Sequence, residues 1–178
     1  MAAPCRRPCS LPGICIMKVF VTIGSQEPFA RLLTLIDELA PEFPELQFIA
    51  QTTPGHPFEG RHMETLSFIP PAAFRQHLVD ADLVVCHAGI GTILNVLELE
   101  KPLIVFPRLA RYHETRDDHQ VATAKAFVAQ GYLHMAENGE ELRNKISEFL
   151  EKKSLPTGAR ITSSASAGLL ESLDAFIG

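Results

Sequence analysis

Short apolar runs alternate along this chain with longer segments in which apolar residues recur every three or four positions. Residues 18–23, KVFVTI, have the composition of a buried strand, and residues 46–50 predict a second one. Between them, one side of a predicted helix carries Phe29, Leu32, Leu33, Ile36 and Leu39. Pro41 and Pro44 end that helix, because proline cannot continue its backbone hydrogen bonding. Together these segments predict a βαβ unit.

The alternation continues as far as residue 152. Further strands are predicted at residues 65–69, 82–86, 103–106 and 132–135, and further helices at residues 70–79, 93–100, 117–130 and 139–152. Gly131 is expected to cap the third of these helices in the left-handed conformation. Strands that alternate with helices indicate an α/β domain with a Rossmann-like, doubly wound, mostly parallel sheet and right-handed crossovers.

The two ends of the chain are predicted to lie outside this domain, which we expect to span residues 17–153. Residues 1–16 contain two arginines and scattered prolines but no continuous apolar core, so they predict a disordered leader rather than a secretory signal. A metal site formed by the three cysteines of the leader is the alternative, but their spacing matches no zinc pattern and no fourth ligand lies nearby. Residues 154–178 predict a flexible linker followed by an amphipathic helix.

Composition and charge narrow the classes of partner. A chain of 178 residues suits one compact domain. Its net charge of -5 argues against nucleic acid as a partner, because phosphate binding needs clustered Lys and Arg. No apolar run reaches the roughly 20 residues that a membrane-spanning helix needs, so we expect no transmembrane span.

Two turns that follow predicted strands have the form of anion-binding sites. The first contains Gly24 and Ser25, and the second is residues 87–92, HAGIGT. In a doubly wound sheet, ligands bind beyond the carboxyl ends of the strands, where helix N-termini present free N–H groups and the positive end of the helix dipole. Glycines let such a backbone approach a diphosphate without a Cβ in the way.

The second turn also has a purely structural interpretation. Gly89 and Gly91 would then only permit a tight turn, Thr92 would cap the helix instead of binding a phosphate oxygen, and His87 would be a hydrogen-bonded structural residue. A third segment, DDHQ at residues 117–120, favours the functional interpretation. It begins the next long helix after a strand, so all three segments should converge at one edge of a parallel sheet.

The sequence HAGIGTILNVLELEKPLIVFPR, followed by RDDHQVATAKAF, resembles the C-terminal, donor-binding half of family 28 glycosyltransferases. The resemblance is closest to the stand-alone versions, which are the Alg13-type subunit of N-acetylglucosaminyl transfer and the PssE/EpsF-type subunits of bacterial exopolysaccharide synthesis. VTIGSQEPFARLL fits as well, so the resemblance extends from residue 17 to about residue 152. It implies the C-terminal, Rossmann-like half of a GT-B fold, with a UDP-sugar across the strand ends.

The resemblance also implies the residues that bind the donor. They are Gly24 and Ser25 near the diphosphate, Gly89, Gly91 and Thr92 at the phosphates, His119 and Gln120 at the sugar or ribose, His87 at the border of the cleft, and Asn95. Many relatives carry Glu at the position of Asn95. An amide lacks the charge that strengthens a contact with the ribose hydroxyls, so ribose recognition departs from the family pattern here.

The function implied is the donor-binding subunit of a two-component, inverting glycosyltransferase of exopolysaccharide biosynthesis. It would transfer a sugar from a UDP-sugar, with UDP-glucuronate as one candidate, to a lipid-linked glycan acceptor at the cytoplasmic face of the membrane. The acceptor site would lie on a membrane-anchored partner subunit of the Alg14-like or PssD-like kind. No metal and no other cofactor is expected, because helix dipoles and backbone donors stabilise the departing nucleotide diphosphate.

The resemblance places the catalytic base on the partner. His87, Glu114 and Asp118 are the candidates within this chain, although solvated loop charges explain the two carboxylates more simply. The same loop contains three arginines, Arg108, Arg111 and Arg116. They either pair with a carboxylate of the donor or are solvated without a partner.

Two other functions compete with this one. A non-catalytic nucleotide-sugar-binding scaffold or regulatory protein would keep the fold, and Asn95 gives it some support. An NAD-dependent dehydrogenase is disfavoured, because G-x-G-x-x-G does not follow the first strand and no acidic residue stands at the spacing expected for ribose binding.

Overall fold

The computed structural model of the chain describes residues 16–155. Its strands are β1 (Met17–Thr22), β2 (Leu46–Gln51), β3 (Glu64–Leu66), β4 (Leu83–Cys86), β5 (Leu103–Val105) and β6 (His134–Met135). Its α-helices are α1 (Ala30–Leu39), α2 (Pro71–Asp80), α3 (Ile90–Glu98), α4 (His119–Ala129) and α5 (Gly139–Lys152). Two short 3₁₀ turns, Ala40–Glu42 and Ala110–Tyr112, complete the described elements.

All six described strands form one parallel sheet in the order β3-β2-β1-β4-β5-β6. The chain first runs outward from β1 to β3, then returns to place β4 on the other side of β1. This reversal of strand order between β1 and β4 is the point at which a doubly wound sheet opens a crevice at its carboxyl edge. The predicted α/β, Rossmann-like, doubly wound fold is confirmed.

Helices cover the sheet on both faces. Along β1, Val19 and Val21 pack on one face with apolar residues of α1 and α5, whereas Phe20 packs on the other face with apolar residues of α2, α3 and α4. The central strands are therefore buried on both sides, which explains why their sequences are almost continuously apolar instead of alternating. The same double burial encloses the thiol of Cys86 and raises its pKa.

The element bounds differ from the predictions mainly at the sheet edges. The strand predicted at 65–69 is only three residues long, and the one predicted at 132–135 has two residues, because edge strands bury fewer side chains. Gly131 has a φ of 74° and ends the helix as predicted. Leu155, assigned by sequence to the linker, is buried in the core, so packing extends at least to that residue.

The cysteine-rich leader with Cys5, Cys9 and Cys15, and the predicted C-terminal helix, lie outside the described residues. Among residues 16–155, no helix combines the length and the apolar character needed to cross a lipid bilayer.

We predict that Asn138→Ala lowers the free energy of unfolding by about 1 kcal/mol, because the Asn138 side chain caps α5 by accepting the backbone N–H of Glu141 at 2.9 Å. Asn144→Ala is the matched control, since Asn144 is exposed within the same helix, where alanine is the better helix former. Chemical denaturation of both variants checks this. Equal stability of the two would contradict the capping role.

Candidate functional site

A cleft of about 840 Å³ opens at the carboxyl edge of the sheet, where the strand order reverses. Three segments line it: residues 23–27 after β1, the turn at 87–92 between β4 and α3, and parts of residues 108–120 between β5 and the first turn of α4. The three sequence segments predicted to converge therefore do so, although of residues 117–120 only Gln120 lines the cleft.

Seven of the nine residues predicted to bind the donor line this cleft, namely Gly24, Ser25, His87, Gly89, Gly91, Thr92 and Gln120. The other two do not. Asn95 is exposed on α3, and His119 is exposed at the start of α4, where its ring contacts the carboxylate of Asp117. Gln120 accepts a hydrogen bond from the backbone N–H of Arg108 at 3.2 Å, which ties the start of α4 to the beginning of the loop that follows β5.

The imidazole of His87 lies between two glycine turns. A Cβ on Gly89 would stand 2.3 Å from Nε2 of His87, and one on Gly24 would stand 2.9 Å from its Cε1. Gly24 also has a φ of 82°, which disfavours any other residue. The main reason for glycine at both positions is thus the space that the histidine ring occupies. Gly91 differs, because a Cβ there would meet nothing within 4 Å, so its surface remains open to a ligand.

The environment of His87 keeps its ring neutral. Burial, followed by the positive charge of Arg108, lowers the pKa of His87 to about 4. Its Nδ1 is buried without a well-formed hydrogen bond among the described residues, and a weak interaction with the backbone of Thr22 opposes the shift only in part. A group with so low a pKa is a poor general base at neutral pH.

The first turn of α3 presents unpaired backbone donors to the cleft. The N-cap is Gly89, with no capping side chain, and Thr92 lies within the first turn. The alternative in which Thr92 caps the helix is therefore wrong. The first N–H groups of a helix have no partner inside it, so Gly91 and Thr92 line the cleft with donors at the positive end of the helix dipole.

Arg108 is not a solvated loop arginine, because only 4% of it is exposed. Its guanidinium donates to the backbone carbonyls of Ile23, Glu27 and Pro28 at 3.0, 2.7 and 2.6 Å. It also stacks over the ring of Phe29, with 4.6 Å from Cζ to the ring centroid. Burial lowers the pKa of Arg108, while Glu114 and Glu27 oppose that shift.

Glu114 is likewise held by the protein instead of being solvated. Its two carboxylate oxygens accept from Nε and Nη2 of Arg31 at 2.7 and 2.8 Å, and one of them also accepts the backbone N–H of Leu109 at 2.9 Å. Arg31 further donates to the carbonyl of Pro107 and stacks over Phe106 at 4.5 Å. With both oxygens engaged, Glu114 is unsuited to the role of catalytic base.

The remaining loop charges differ in position. Asp118 accepts the backbone N–H of Ala110 at 2.9 Å, which gives it a structural contact that the sequence interpretation missed. Arg111 stacks over Tyr112 and does not line the cleft, whereas the exposed side chain of Arg116 does. Within residues 16–155, Arg116 is in no ion pair, so it remains available to an anionic ligand.

Sequence reasoning did not identify the structural roles of Arg31 and Arg108, nor the cleft positions of Glu27, His113 and Thr115. The two arginines act across contacts of 83 and 85 residues in sequence, for which no local pattern gives a signal. The part of the chain that the structure describes contains no group of three or more His, Cys, Asp and Glu side chains placed to hold a metal ion.

Comparison with known proteins gives one family. The model of the glycosyltransferase family 28 C-terminal domain matches residues 18–170. The UDP-N-acetylglucosamine transferase subunit ALG13 of Candida albicans is 32% identical over 75 residues, which are 42% of this chain and 24% of that protein. The UDP-N-acetylglucosamine--N-acetylmuramyl-(pentapeptide) pyrophosphoryl-undecaprenol N-acetylglucosamine transferase of Myxococcus xanthus is 28% identical over 144 residues, 76% of this chain and 36% of that protein.

Solved structures agree in fold. The solution structure of ALG13 superimposes with a TM-score of 0.56 and 23% identity, covering 81% of this chain and 90% of that one. A crystal structure of the glycotransferase of kitacinnamycin gives a TM-score of 0.60 and 18% identity, covering 99% of this chain and 42% of that one. The chain thus spans only about a quarter to a third of the curated relatives named above.

We predict opposite effects on stability for two neighbouring glycines. Gly89→Ala should lower the free energy of unfolding by about 1–3 kcal/mol, because the new Cβ overlaps the His87 ring. Gly91→Ala should leave it unchanged or raise it by up to about 1 kcal/mol, because the space is open and alanine favours the helix. Thermal and urea unfolding of the pair check this, and similar stabilities would contradict the packing of His87.

We also predict a pH effect of His87. In the unfolded chain its pKa returns to about 6.5, so that state binds a proton first as the pH falls. The free energy of unfolding should therefore drop between pH 6.5 and pH 4, by an amount on the order of 3 kcal/mol from this residue. His87→Gln should flatten that part of the stability curve, and the exposed His56→Gln tests whether loss of any histidine does the same. Parallel curves for wild type and His87→Gln would contradict the low pKa.

Proposed function

Because the chain belongs to the family of glycosyltransferase family 28 C-terminal domains, we propose that its cleft binds a UDP-sugar and that the chain is the donor-binding part of a glycosyltransferase. One observation carries the proposal: three separate motif segments of the family converge on a single cleft at the strand-order reversal. The cleft volume of about 840 Å³ lies in the range of pockets that enclose ligands of this size.

The electrostatics of the cleft support an anionic ligand. The first turn of α3 directs unpaired N–H groups and a positive dipole end into it, and Arg108 adds a buried positive charge at its wall. A diphosphate that leaves with developing negative charge would be stabilised by these fixed donors. We therefore expect transfer to need no metal and no further cofactor.

For the sugar, N-acetylglucosamine is the first candidate. The curated relatives named above are both transferases of UDP-N-acetylglucosamine. UDP-glucuronate, as in an exopolysaccharide pathway, is the second candidate. The unpaired Arg116 at the cleft favours it, because an arginine can bind a carboxylate through two parallel hydrogen bonds.

The acceptor and the catalytic base are proposed to lie on another protein. In the described cleft, His87 has too low a pKa and Glu114 is engaged by Arg31, so neither suits the activation of a hydroxyl. We propose a membrane-anchored, acceptor-binding partner that presents a lipid-linked glycan at the cytoplasmic face of the membrane. The relative ALG13 is itself named a transferase subunit.

A non-catalytic nucleotide-sugar sensor is the second candidate function. The unsuitability of His87 and Glu114 as bases favours it, as does Asn95, where the resemblance to the family implies Glu. Sugar transfer by the chain together with the acceptor-binding partner would exclude a sensor, whereas binding without transfer would support it.

Titration calorimetry of the chain with UDP, UDP-N-acetylglucosamine and UDP-glucuronate tests the donor site. We predict that wild type binds all UDP compounds and that Gly91→Glu loses at least about tenfold in affinity, because the new carboxylate repels the diphosphate. Gly91→Gln is the matched control of equal size without charge, and it should bind more tightly than Gly91→Glu.

The variants should fold, since a side chain at Gly91 meets open space and an acidic residue is favourable in the first turn of a helix. No binding of any UDP compound by wild type, or equal affinity of the Glu and Gln variants, would contradict the proposed site. Arg116→Gln, if it weakens UDP-glucuronate but not UDP-N-acetylglucosamine, would identify the second candidate as the donor.

A further inference from the structure

The loop between β1 and α1 has carbonyl groups at both of its ends bound by one side chain. Three of them, at Ile23, Glu27 and Pro28, accept hydrogen bonds from the guanidinium of Arg108. The carbonyl of Glu27 also accepts from the hydroxyl of Thr53 at 3.1 Å. Thus the acceptors at both ends of this short loop face the protein, fixed by one buried side chain.

The donors of the same loop are unused. Within residues 16–155, the backbone N–H groups of Ser25, Gln26 and Glu27 donate to no protein acceptor, and all three residues are exposed and line the cleft. Arg108 holds the loop at Ile23 on one end and at Glu27 and Pro28 on the other, and these unpaired N–H groups belong to the segment between the two fixed ends. Successive free N–H groups of this kind form a concave site for an anion.

Arg108 is better suited than other residue types to binding several carbonyls of this loop. Its planar fork carries five N–H donors, which lets one side chain serve three carbonyls at once, and a lysine ammonium lacks that geometry. No described carboxylate forms an ion pair with it, although burial of an unpaired charge is costly. Three backbone carbonyls take the place of a carboxylate partner, at the wall of the open cleft.

We infer that Arg108 is a positioning residue for the diphosphate of the donor. It binds the carbonyls of Ile23, Glu27 and Pro28 and so holds the two ends of the loop in place, which keeps the N–H groups of Ser25, Gln26 and Glu27 at the cleft for the phosphates, without touching the ligand itself. This inference rests on the proposed function for the identity of the ligand, but the binding of a bare diphosphate by the loop tests it separately.

The test uses inorganic pyrophosphate as the probe and amide NMR of the ¹⁵N-labelled chain as the readout. In wild type, pyrophosphate should shift the amide signals of Ser25, Gln26 and Glu27 in a saturable way. Arg108→Met, which keeps the apolar stem, should lose about tenfold or more in pyrophosphate affinity while the signals of α5 stay at their wild-type positions. Arg61→Met is the matched control, because Arg61 is exposed and outside the cleft, and it should bind as wild type does.

Arg108→Lys keeps the charge but not the fork, so it should fall between wild type and Arg108→Met, and it replaces that variant as the test if Arg108→Met does not fold. Affinity is measured below the unfolding temperature of each variant, so lost stability alone cannot mimic the effect. Wild-type affinity in the folded Arg108 variants, or amide shifts confined to α3, would overturn the inference. Loop shifts with pyrophosphate but no binding of UDP would overturn the proposed function and leave this inference standing.

Discussion

The contact of the His87 imidazole with two glycine turns determines the floor of the cleft. Because the ring occupies the space in which a Cβ of Gly24 or Gly89 would stand, the turns after β1 and β4 must remain close to each other. Those strands are neighbours only because the strand order reverses there. The order of the strands therefore explains why both of these positions must be glycine. The open surface at Gly91 lies beside them.

Two arginines then tie the turns to the long polar loop. Arg108 extends from that loop to the carbonyls after β1, and Arg31 extends from α1 to Glu114 in the loop. The cleft walls therefore hold each other through bonds in both directions, in which Arg108 and Glu114 of the loop are engaged. What remains towards solvent are backbone donors, a helix N-terminus and the side chains of Arg116, Glu27 and His113. The backbone donors and the arginine suit an anionic ligand.

Much of the fold and of the cleft could be predicted from the sequence, and there are physical reasons why the rest could not. Buried parallel strands are short continuous apolar runs and amphipathic helices have a period of 3.6 residues, so single segments reveal both, and α5 was bounded correctly because its capping residues are local. The motif glycines also indicated the cleft. By contrast, the roles of Arg108 and Glu114 depend on partners more than 80 residues away in sequence. Because the local sequence gives no sign of these partners, both side chains were interpreted as solvated loop charges. Thr92 looked like a cap because the helix begins three residues earlier than predicted.

The central claim is that this cleft holds a nucleoside diphosphate between the turn after β1 and the first turn of α3. A crystal structure of the chain with UDP bound measures it most directly. The claim predicts the two phosphates within hydrogen-bond distance of backbone N–H groups in residues 25–27 and at Gly91 and Thr92. A nucleotide bound elsewhere on the chain, or an empty cleft at saturating UDP, would contradict it.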